Sequence, residues 1–339
     1  MERGSVDDKS DRGLTGREAP RTAVRREQRQ HLVFFALVLA LIVVFLTVPI
    51  LLLDTGFYIR HSNYIYDPVI DFKASLTDNS ADILIYGDSS ALHNVVPAVI
   101  KKEANLNVYN LGYSAPILVG SPYKMLDRYL ARNKVPQTIV LYIGPELRVT
   151  GRDPDSTHFY EEAMILERYS SLTEAIQFYA RSPRRIFEVA AVVLRNLLTP
   201  PVLTEQSYRV VTSGLSAQAG WVATPPEHLV KKARLQPGKH QEAKPPLVPD
   251  SQFIEDFRKK YTALGMRVLV FLAPISDCSG RSVDEVRAAY RTLADNEPYS
   301  LPCDSFVDGI HIDERAAEDN SLRVAQALRT DLEQPSASR

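Results

Sequence analysis

Two short motifs, far apart in the chain, contain the residue types that nucleophilic catalysis needs. The first reads G-D-S-S over residues 87–90, and the second reads D-G-I-H over residues 308–311. A serine nucleophile needs a histidine that takes its proton and a carboxylate that orients the histidine ring. The motifs therefore predict a triad of Ser89, His311 and Asp308, whose chemistry would be acyl transfer through a serine ester.

Each motif alone also has a plainer interpretation. An aspartate or serine directly before a helix often caps it, and D-x-x-H occurs by chance in surface turns. The two motifs become specific as a pair, because one follows the first predicted strand and the other precedes the last predicted helix.

Short apolar runs and amphipathic segments alternate along most of the chain. Strands are predicted at residues 82–86, 106–109, 138–143 and 267–272, and helices at 90–104, 121–132, 253–264, 283–294 and 314–332. This alternation predicts an α/β protein with a parallel sheet covered by helices on both faces. Ligands of such folds collect at the carboxyl ends of the strands, which is where Ser89 falls.

The serine and D-x-x-H motifs, in these positions, resemble blocks I and V of the SGNH/GDSL hydrolase superfamily. The resemblance covers residues 82–332 apart from a middle insertion. It implies a flavodoxin-like three-layer fold, no cofactor, and the roles of nucleophile for Ser89, base for His311 and orienting carboxylate for Asp308. The α/β-hydrolase alternative fits less well, because no G-x-S-x-G elbow precedes a helix.

The resemblance further implies an oxyanion hole built from the backbone N–H groups of Ser89, Gly112 and Ala115. The third family block, G-x-N-D, is altered, because Glu146 stands at the asparagine position. An ionised carboxylate cannot donate a hydrogen bond, and the loss of one such donor costs about 10²–10³ in rate. We therefore expect weak hydrolysis, with Glu146 turned away, protonated or used for another task.

Four polar residues near these motifs are candidates for substrate contact: Asp88, His93, Asn110 and Glu146. For His93 the alternative is a place on the helix surface. No metal site is predicted, since Cys278 and Cys303 lack the spacing of zinc or redox motifs.

Residues 32–53 contain no charged side chain and are long enough to cross a bilayer core of about 30 Å. Several arginines lie just before this segment, which predicts a cytoplasmic N-terminus. The predicted organisation is a disordered cytoplasmic tail (1–30), a transmembrane helix (31–54) and a periplasmic domain (55–335). The protein would be a single-pass protein of the bacterial inner membrane. A cleaved signal peptide is the alternative, although its apolar core is usually shorter.

The formal net charge of -1 argues against nucleic acid as a partner, because nucleic-acid binding usually needs a basic face. A periplasmic location allows disulfides to persist. Cys278 and Cys303 are then predicted to form a disulfide, with two free thiols as the alternative.

Residues 150–250 interrupt the strand and helix pattern. The part over 160–198 resembles helices, whereas 200–249 is rich in proline and is predicted to be irregular. A lid, a partner-docking surface and a poorly ordered insertion all remain open.

The altered third block and the membrane anchor are similar to SGNH-like proteins of bacterial surface-polymer modification, such as the D-alanyl-transfer protein of teichoic acids and the alginate O-acetylation proteins. The resemblance implies a serine acyltransferase or esterase that acts on an extracytoplasmic polysaccharide. Its partners would be the surface polysaccharide or an acyl donor, together with a membrane-bound O-acyltransferase. The alternatives are a non-catalytic glycan-binding or scaffold subunit and a lipase-like enzyme.

Overall fold

The computed structural model describes residues 21–54, 59, 66–114, 122–147, 163, 169, 171–181, 183–198, 205–223 and 245–333. The chain divides into two units, Met1–Val48 and Pro49–Arg339.

Helix α1 spans Arg21–Asp54. Its segment Gln28–Phe45 is long and apolar enough to cross a membrane, and none of that segment is buried. Residues 21–30 were predicted to be disordered but are helical. Arginine, glutamine and glutamate favour helices, and the adjoining apolar segment lets an established helix extend into them. Residues 1–20 lie outside the described residues.

The second unit contains a four-stranded parallel sheet with the strand order β2-β1-β3-β4. In the register, Gly87 pairs with Tyr142, and Ile143 pairs with Leu272. The carboxyl ends of β1, β3 and β4 therefore meet at one edge of the sheet. The strands span Ile83–Gly87 (β1), Val108–Asn110 (β2), Thr138–Ile143 (β3) and Arg267–Leu272 (β4).

Successive side chains of the strands enter two separate hydrophobic clusters. Leu84 and Leu141 belong to one cluster, whereas Ile85 and Val140 belong to the other. Because both faces of the sheet are buried, its strands are continuously apolar. The predicted α/β class with a parallel sheet is confirmed.

The helices of this unit are Asp67–Ser75 (α2), Ser89–Asn94 (α3), Pro97–Ala104 (α4), Lys124–Arg132 (α5), Leu172–Arg181 (α6), Arg184–Leu198 (α7), Glu205–Ala217 (α8), Ser251–Thr262 (α9), Val283–Tyr290 (α10) and Glu314–Glu333 (α11).

The structure differs from the predicted helices in two places. The single helix expected at 90–104 is broken into α3 and α4, because Pro97 lacks the N–H that a continuous helix would need. Within 200–249, expected to be irregular, α8 forms a regular helix. Its Leu215 is buried against Val69 and Leu92, and this apolar packing stabilises it.

A second, two-stranded parallel sheet follows β4. Its strands are β5 (Ile275–Ser276) and β6 (Ser300–Leu301). Cys278 and Cys303, which follow these strands, form a disulfide with their Cα atoms 5.6 Å apart. The disulfide thus joins the segments that leave the two strands, and the predicted pairing is present.

Removing this disulfide is expected to lower the free energy of unfolding by about 3 kcal/mol. A cross-link between residues separated by 25 positions restricts the unfolded chain and so raises its free energy. Urea unfolding of the full-length protein and its double Cys→Ser variant, both in detergent, measures the difference. Two alkylated thiols per chain in unreduced, denatured protein would contradict the bond itself.

Candidate active site

Ser89 lies at the carboxyl edge of the sheet, where β1 turns into α3. Asp88 caps the helix, since its Oδ1 accepts a backbone N–H from the first turn of α3 at 2.8 Å. Its Oδ2 accepts the N–H of Gly144 at 3.3 Å, which ties the turn to the end of β3. Only glycine fits at residue 87, because a Cβ there would lie 1.8 Å from the Tyr142 carbonyl oxygen. Asp88 is thus mainly a positioning residue, although it also lines the cavity described below.

The three residues of the predicted triad are hydrogen-bonded to each other. His311 Nε2 lies 2.8 Å from Ser89 Oγ, and His311 Nδ1 lies 2.7 Å from Asp308 Oδ2. The second carboxylate oxygen, Oδ1, accepts the N–H groups of Ile310 at 2.8 Å and His311 at 2.7 Å. A carboxylate can only accept, so Nδ1 carries the ring proton and Nε2 is left to accept the proton of Ser89.

The loop that carries Asp308 and His311 is fixed to α3 by Asn94. Asn94 Oδ1 accepts the N–H of Ile312 at 3.2 Å, and Nδ2 donates to the Ile310 carbonyl at 3.4 Å. Asn94 is fully buried, so water does not compete for these bonds. The separation of serine and histidine is therefore set by packing as well as by the triad bonds.

Asp308 remains ionised at ordinary pH. Burial acts to raise the pKa of Asp308, but the hydrogen bonds and charge of His311, together with the N–H of Ile310, outweigh burial and lower the pKa to about 2. An ionised carboxylate stabilises the imidazolium that forms when His311 takes the serine proton. The site thus supplies a nucleophile, a base and an orienting anion.

The predicted oxyanion donors differ in whether their N–H groups are already hydrogen-bonded within the protein. The N–H of Ser89 lies at the N-terminus of α3 and has no hydrogen-bond partner among the described residues. The N–H of Gly112 donates to Asn110 Oδ1 at 2.8 Å inside the protein. Gly112 is therefore corrected from an oxyanion donor to a structural residue, because its N–H is already used. Ala115 lies outside the described residues.

Asn110, predicted to contact substrate, also has a structural role. It is fully buried, and its Nδ2 donates to the carbonyls of Ala91 at 2.7 Å and Val95 at 2.8 Å. These bonds hold the segment after β2 against α3. Lys73 adds a further bond to this segment, because its buried amino group donates to the Gly112 carbonyl.

A cavity of about 240 Å³ opens beside Ser89. Glu146 lines this cavity, and its Oε1 accepts from Arg281 Nε at 3.0 Å. The Arg281 side chain is only 7% exposed. The Glu146 side chain is itself half exposed, so solvent and the ion pair together stabilise its charge at the predicted asparagine position. The wall is otherwise mainly apolar and includes Pro145, Leu147, Leu247, Ala273, Pro274, Ile275 and Ile310.

Replacing Glu146 with asparagine is expected to raise ester hydrolysis by at least about tenfold. The variant removes a negative charge from the cavity and supplies an amide donor of the kind that is worth about 10²–10³ in rate. Hydrolysis of p-nitrophenyl acetate by the full-length protein measures the effect. Glu297→Gln, which breaks an exposed ion pair with Arg287, is the matched control. A rate equal to that of the wild type would show that residue 146 does not influence the oxyanion.

His93, also predicted to contact substrate, is buried behind the triad instead. Its Nδ1 lies 2.9 Å from the Val222 carbonyl oxygen, and its Nε2 lies 3.2 Å from the Tyr66 hydroxyl. Its ring stands edge-on to that of His311, with the centroids 4.9 Å apart. Burial, followed by the neighbouring His311, lowers the pKa of His93 to about 3, so the ring is neutral.

Nothing in the sequence indicated that Tyr66 and Lys73 lie near the site, because both precede β1 and belong to no motif.

The insertion also contributes to the site. Trp221 is buried, and its Nε1 donates to the His93 carbonyl at 2.8 Å. The end of the insertion therefore supports the triad. Trp221 is the only tryptophan in the sequence, and this was the one local indication that the insertion packs against the rest of the domain.

Among the residues that the structure describes, no group of three histidine, cysteine, aspartate or glutamate side chains is placed to hold a metal ion. Comparison with known proteins finds no family model, no curated protein and no solved structure that matches the chain. What the fold and site define is an α/β protein with a serine–histidine–aspartate triad at the carboxyl edge of a parallel sheet.

Proposed function

We propose that the protein is a membrane-anchored serine acyltransferase or esterase of the SGNH type that acts on an extracytoplasmic polysaccharide. The observation that carries the proposal is the triad, in which Ser89 Oγ, His311 and Asp308 are joined by hydrogen bonds of 2.8 and 2.7 Å. The strand order β2-β1-β3-β4 supports the SGNH assignment, since flavodoxin-like folds share it.

Transfer to a hydroxyl group is favoured over hydrolysis. Among the described residues, the asparagine donor is replaced by a carboxylate that pairs with Arg281. The Gly112 N–H is also already bonded. With few oxyanion donors, the reaction depends on positioning, and a bound sugar hydroxyl is better positioned than free water.

The test is intact-mass analysis of the full-length protein after incubation with an activated acetyl ester. We expect a single acetyl adduct on Ser89, located by peptide mapping. Added oligosaccharide of the native polymer should discharge the adduct faster than buffer does. An absence of adduct under all conditions would refute the enzymatic proposal.

We further propose that the N-terminus is cytoplasmic and the second unit periplasmic. Arginines before the apolar segment and the Cys278–Cys303 disulfide support this topology, because disulfides persist in oxidising compartments. Alkaline phosphatase fused after Arg339 should be active, and green fluorescent protein at the same place should be dark. An inactive phosphatase fusion together with a fluorescent green fluorescent protein fusion would show that the second unit is cytoplasmic.

A non-catalytic glycan-binding or scaffold subunit is the second candidate, and the carboxylate at residue 146 favours it. Under this proposal the protein would still bind polysaccharide, yet Ser89 would form no adduct. Polymer acylation in cells would then be unchanged by Ser89→Ala and lost only when the whole protein is absent.

A further inference from the structure

The cavity beside Ser89 is larger than an acetyl group requires. Its volume is about 240 Å³, whereas a cavity that holds the six carbons of benzene measures about 150 Å³. Sites for drug-sized ligands begin at about 300 Å³. An acetyl group has two carbon atoms, so it would leave most of the cavity empty. The volume instead fits a ligand portion of about four to eight carbon atoms.

The cavity begins at the nucleophile. Ser89 and Ile310 are both part of its wall, and the residue after Ile310 is His311, whose Nε2 lies 2.8 Å from Ser89 Oγ. In acylation the bond between Oγ and the acyl carbon forms, the ester C–O bond of the donor breaks, and the serine proton passes through His311 to the leaving group. The chain of an acyl group attached to Oγ therefore starts at the cavity and can extend into it.

Several polar side chains of the wall already bind other parts of the protein. The hydroxyl oxygen of Ser276 accepts the N–H of Cys278 at 3.2 Å. The hydroxyl oxygen of Ser279 accepts the N–H of Arg281 at 3.3 Å, and the Arg281 side chain pairs with Glu146. A sugar ring that enters such a site loses water from its hydroxyl groups, and each hydroxyl without a new partner costs free energy. An aliphatic chain carries no such groups, so it suits the cavity better.

A buried part of the apolar wall is held rigidly. Ala273 is 5% exposed and Ile275 is 8% exposed, and the N–H of Ile275 donates to the Tyr299 carbonyl at 3.1 Å. The disulfide between Cys278 and Cys303 fixes the segment that follows. Because this wall is fixed, we expect the cavity to discriminate between acyl chains by their length.

The opening of the cavity sets an upper limit to that length. Ile310 is 56% exposed, and the side chain of Glu146 is half exposed where it pairs with Arg281. A chain that extends past these residues meets water and charge. It therefore gains no further apolar burial from the additional carbons.

We propose that this cavity binds the acyl chain of the donor, and that the protein transfers an aliphatic acyl group of about four to eight carbon atoms. The proposal rests on the acyl-transfer function proposed above and names the class of its donor, an ester or thioester of a short- or medium-chain fatty acid. In the transfer step the acceptor hydroxyl oxygen bonds to the acyl carbon and the Oγ–carbon bond breaks. The hydroxyl proton returns through His311 to Oγ.

The test measures the burst of p-nitrophenolate that is released when esters acylate Ser89 of the full-length protein in detergent. The series contains the acetate, butanoate, hexanoate, octanoate and decanoate, and rate constants are referred to the free ester concentration. We expect the second-order rate constant to rise by about two- to fourfold for each added methylene, since full burial of a CH₂ group corresponds to about fourfold. It should stop rising by the octanoate and be lower for the decanoate.

Two substitutions in the wall should shift the preferred length in opposite directions. Ala273→Leu fills part of the cavity, and the ratio of the rate constants for octanoate and butanoate should fall by at least about tenfold. Leu247→Ala enlarges the cavity, and the ratio for decanoate and hexanoate should rise by about threefold or more. Ala288→Leu, on the exposed face of α10, is the matched control and should keep the wild-type ratios.

A further variant covers the case in which Ala273→Leu does not fold, because residue 273 is buried. Ile310→Ser changes an exposed position and removes apolar surface from the opening. Its octanoate to butanoate ratio should also fall by about threefold or more. The urea midpoint of unfolding of each variant is measured beside its ratios.

The outcomes distinguish this proposal from the proposed function. If no ester forms an adduct on Ser89 of the wild type, the enzymatic function and the acyl cavity are both refuted. If Ser89 is acylated, and acetate reacts fastest or the folded wall variants keep every wild-type ratio within twofold, the acyl cavity alone is refuted. Unchanged ratios together with slower discharge of the adduct by added oligosaccharide would assign the cavity to the acceptor sugar, which also refutes the proposal.

Discussion

Protein carrying Ser89→Ala is expected to form no acyl-enzyme and to leave the surface polymer unacylated in cells. The serine hydroxyl is the only nucleophile that His311 Nε2 contacts at 2.8 Å within the described residues. Its removal eliminates the covalent intermediate rather than slowing it. We therefore expect the rate of acyl transfer to fall by about 10⁶-fold, the size of the loss when the serine of a triad is removed.

The fold should tolerate this change, because Ser89 is half-buried and its side chain does not cap the helix, a task that Asp88 performs. Protein abundance and the urea midpoint of unfolding should match those of the wild type. Ser75→Ala, at an exposed helix end, serves as the control. An acyl adduct on the Ser89→Ala protein would assign the nucleophile to another residue.

Replacing Asp308 with asparagine is expected to lower the rate of acylation by about 10⁴-fold, as happens when a triad carboxylate becomes an amide. The amide oxygen would keep the bonds from the N–H groups of Ile310 and His311. The amide nitrogen would then face His311 Nδ1 as a donor. The ring would be forced into the tautomer with its proton on Nε2, which cannot accept the proton of Ser89.

Because the turn keeps its backbone bonds, the loss should appear in the acylation rate and not in the affinity for the ester. Asp304→Asn, an exposed residue of the same segment, is the control and should leave the rate unchanged. The pH dependence gives a second check. The pKa of Asp308 is about 2, so the wild type should lose the orienting charge only as the pH falls through that value. A loss of less than tenfold in Asp308→Asn would show that the carboxylate does not set the tautomer.

Local patterns in the sequence were enough to predict the sheet. Four apolar runs gave four strands within about two residues of their observed ends, because strands buried on both faces are apolar throughout. The triad was also predictable. Asp308 and His311 lie three residues apart on one turn, so a short range of the chain determines their mutual geometry. The contact of His311 with Ser89, which follows β1, joins residues 222 positions apart and depends on the fold.

The residues that hold the triad in place could not be predicted from local sequence patterns. Gly112 and Asn110 lie beside the motifs, yet their polar groups bond each other and the backbone of α3. Whether such a group faces substrate or its neighbours depends on packing between elements, and sequence proximity does not report that packing.

The sequence by itself determined the parallel α/β class and the membrane-length apolar helix, because each follows from periodicity or composition within single segments. The pair of motifs predicted the three triad residues, but the contact between Ser89 and His311 joins positions 222 residues apart and depends on the fold. Only the tertiary structure decided that Glu146 pairs with Arg281, that His93 is buried as a neutral ring, and that Tyr66 and Val222 are its partners. These contacts join residues more than 25 positions apart. Their formation depends on how the segment before β1 and the insertion pack around α3, and no local pattern encodes that packing.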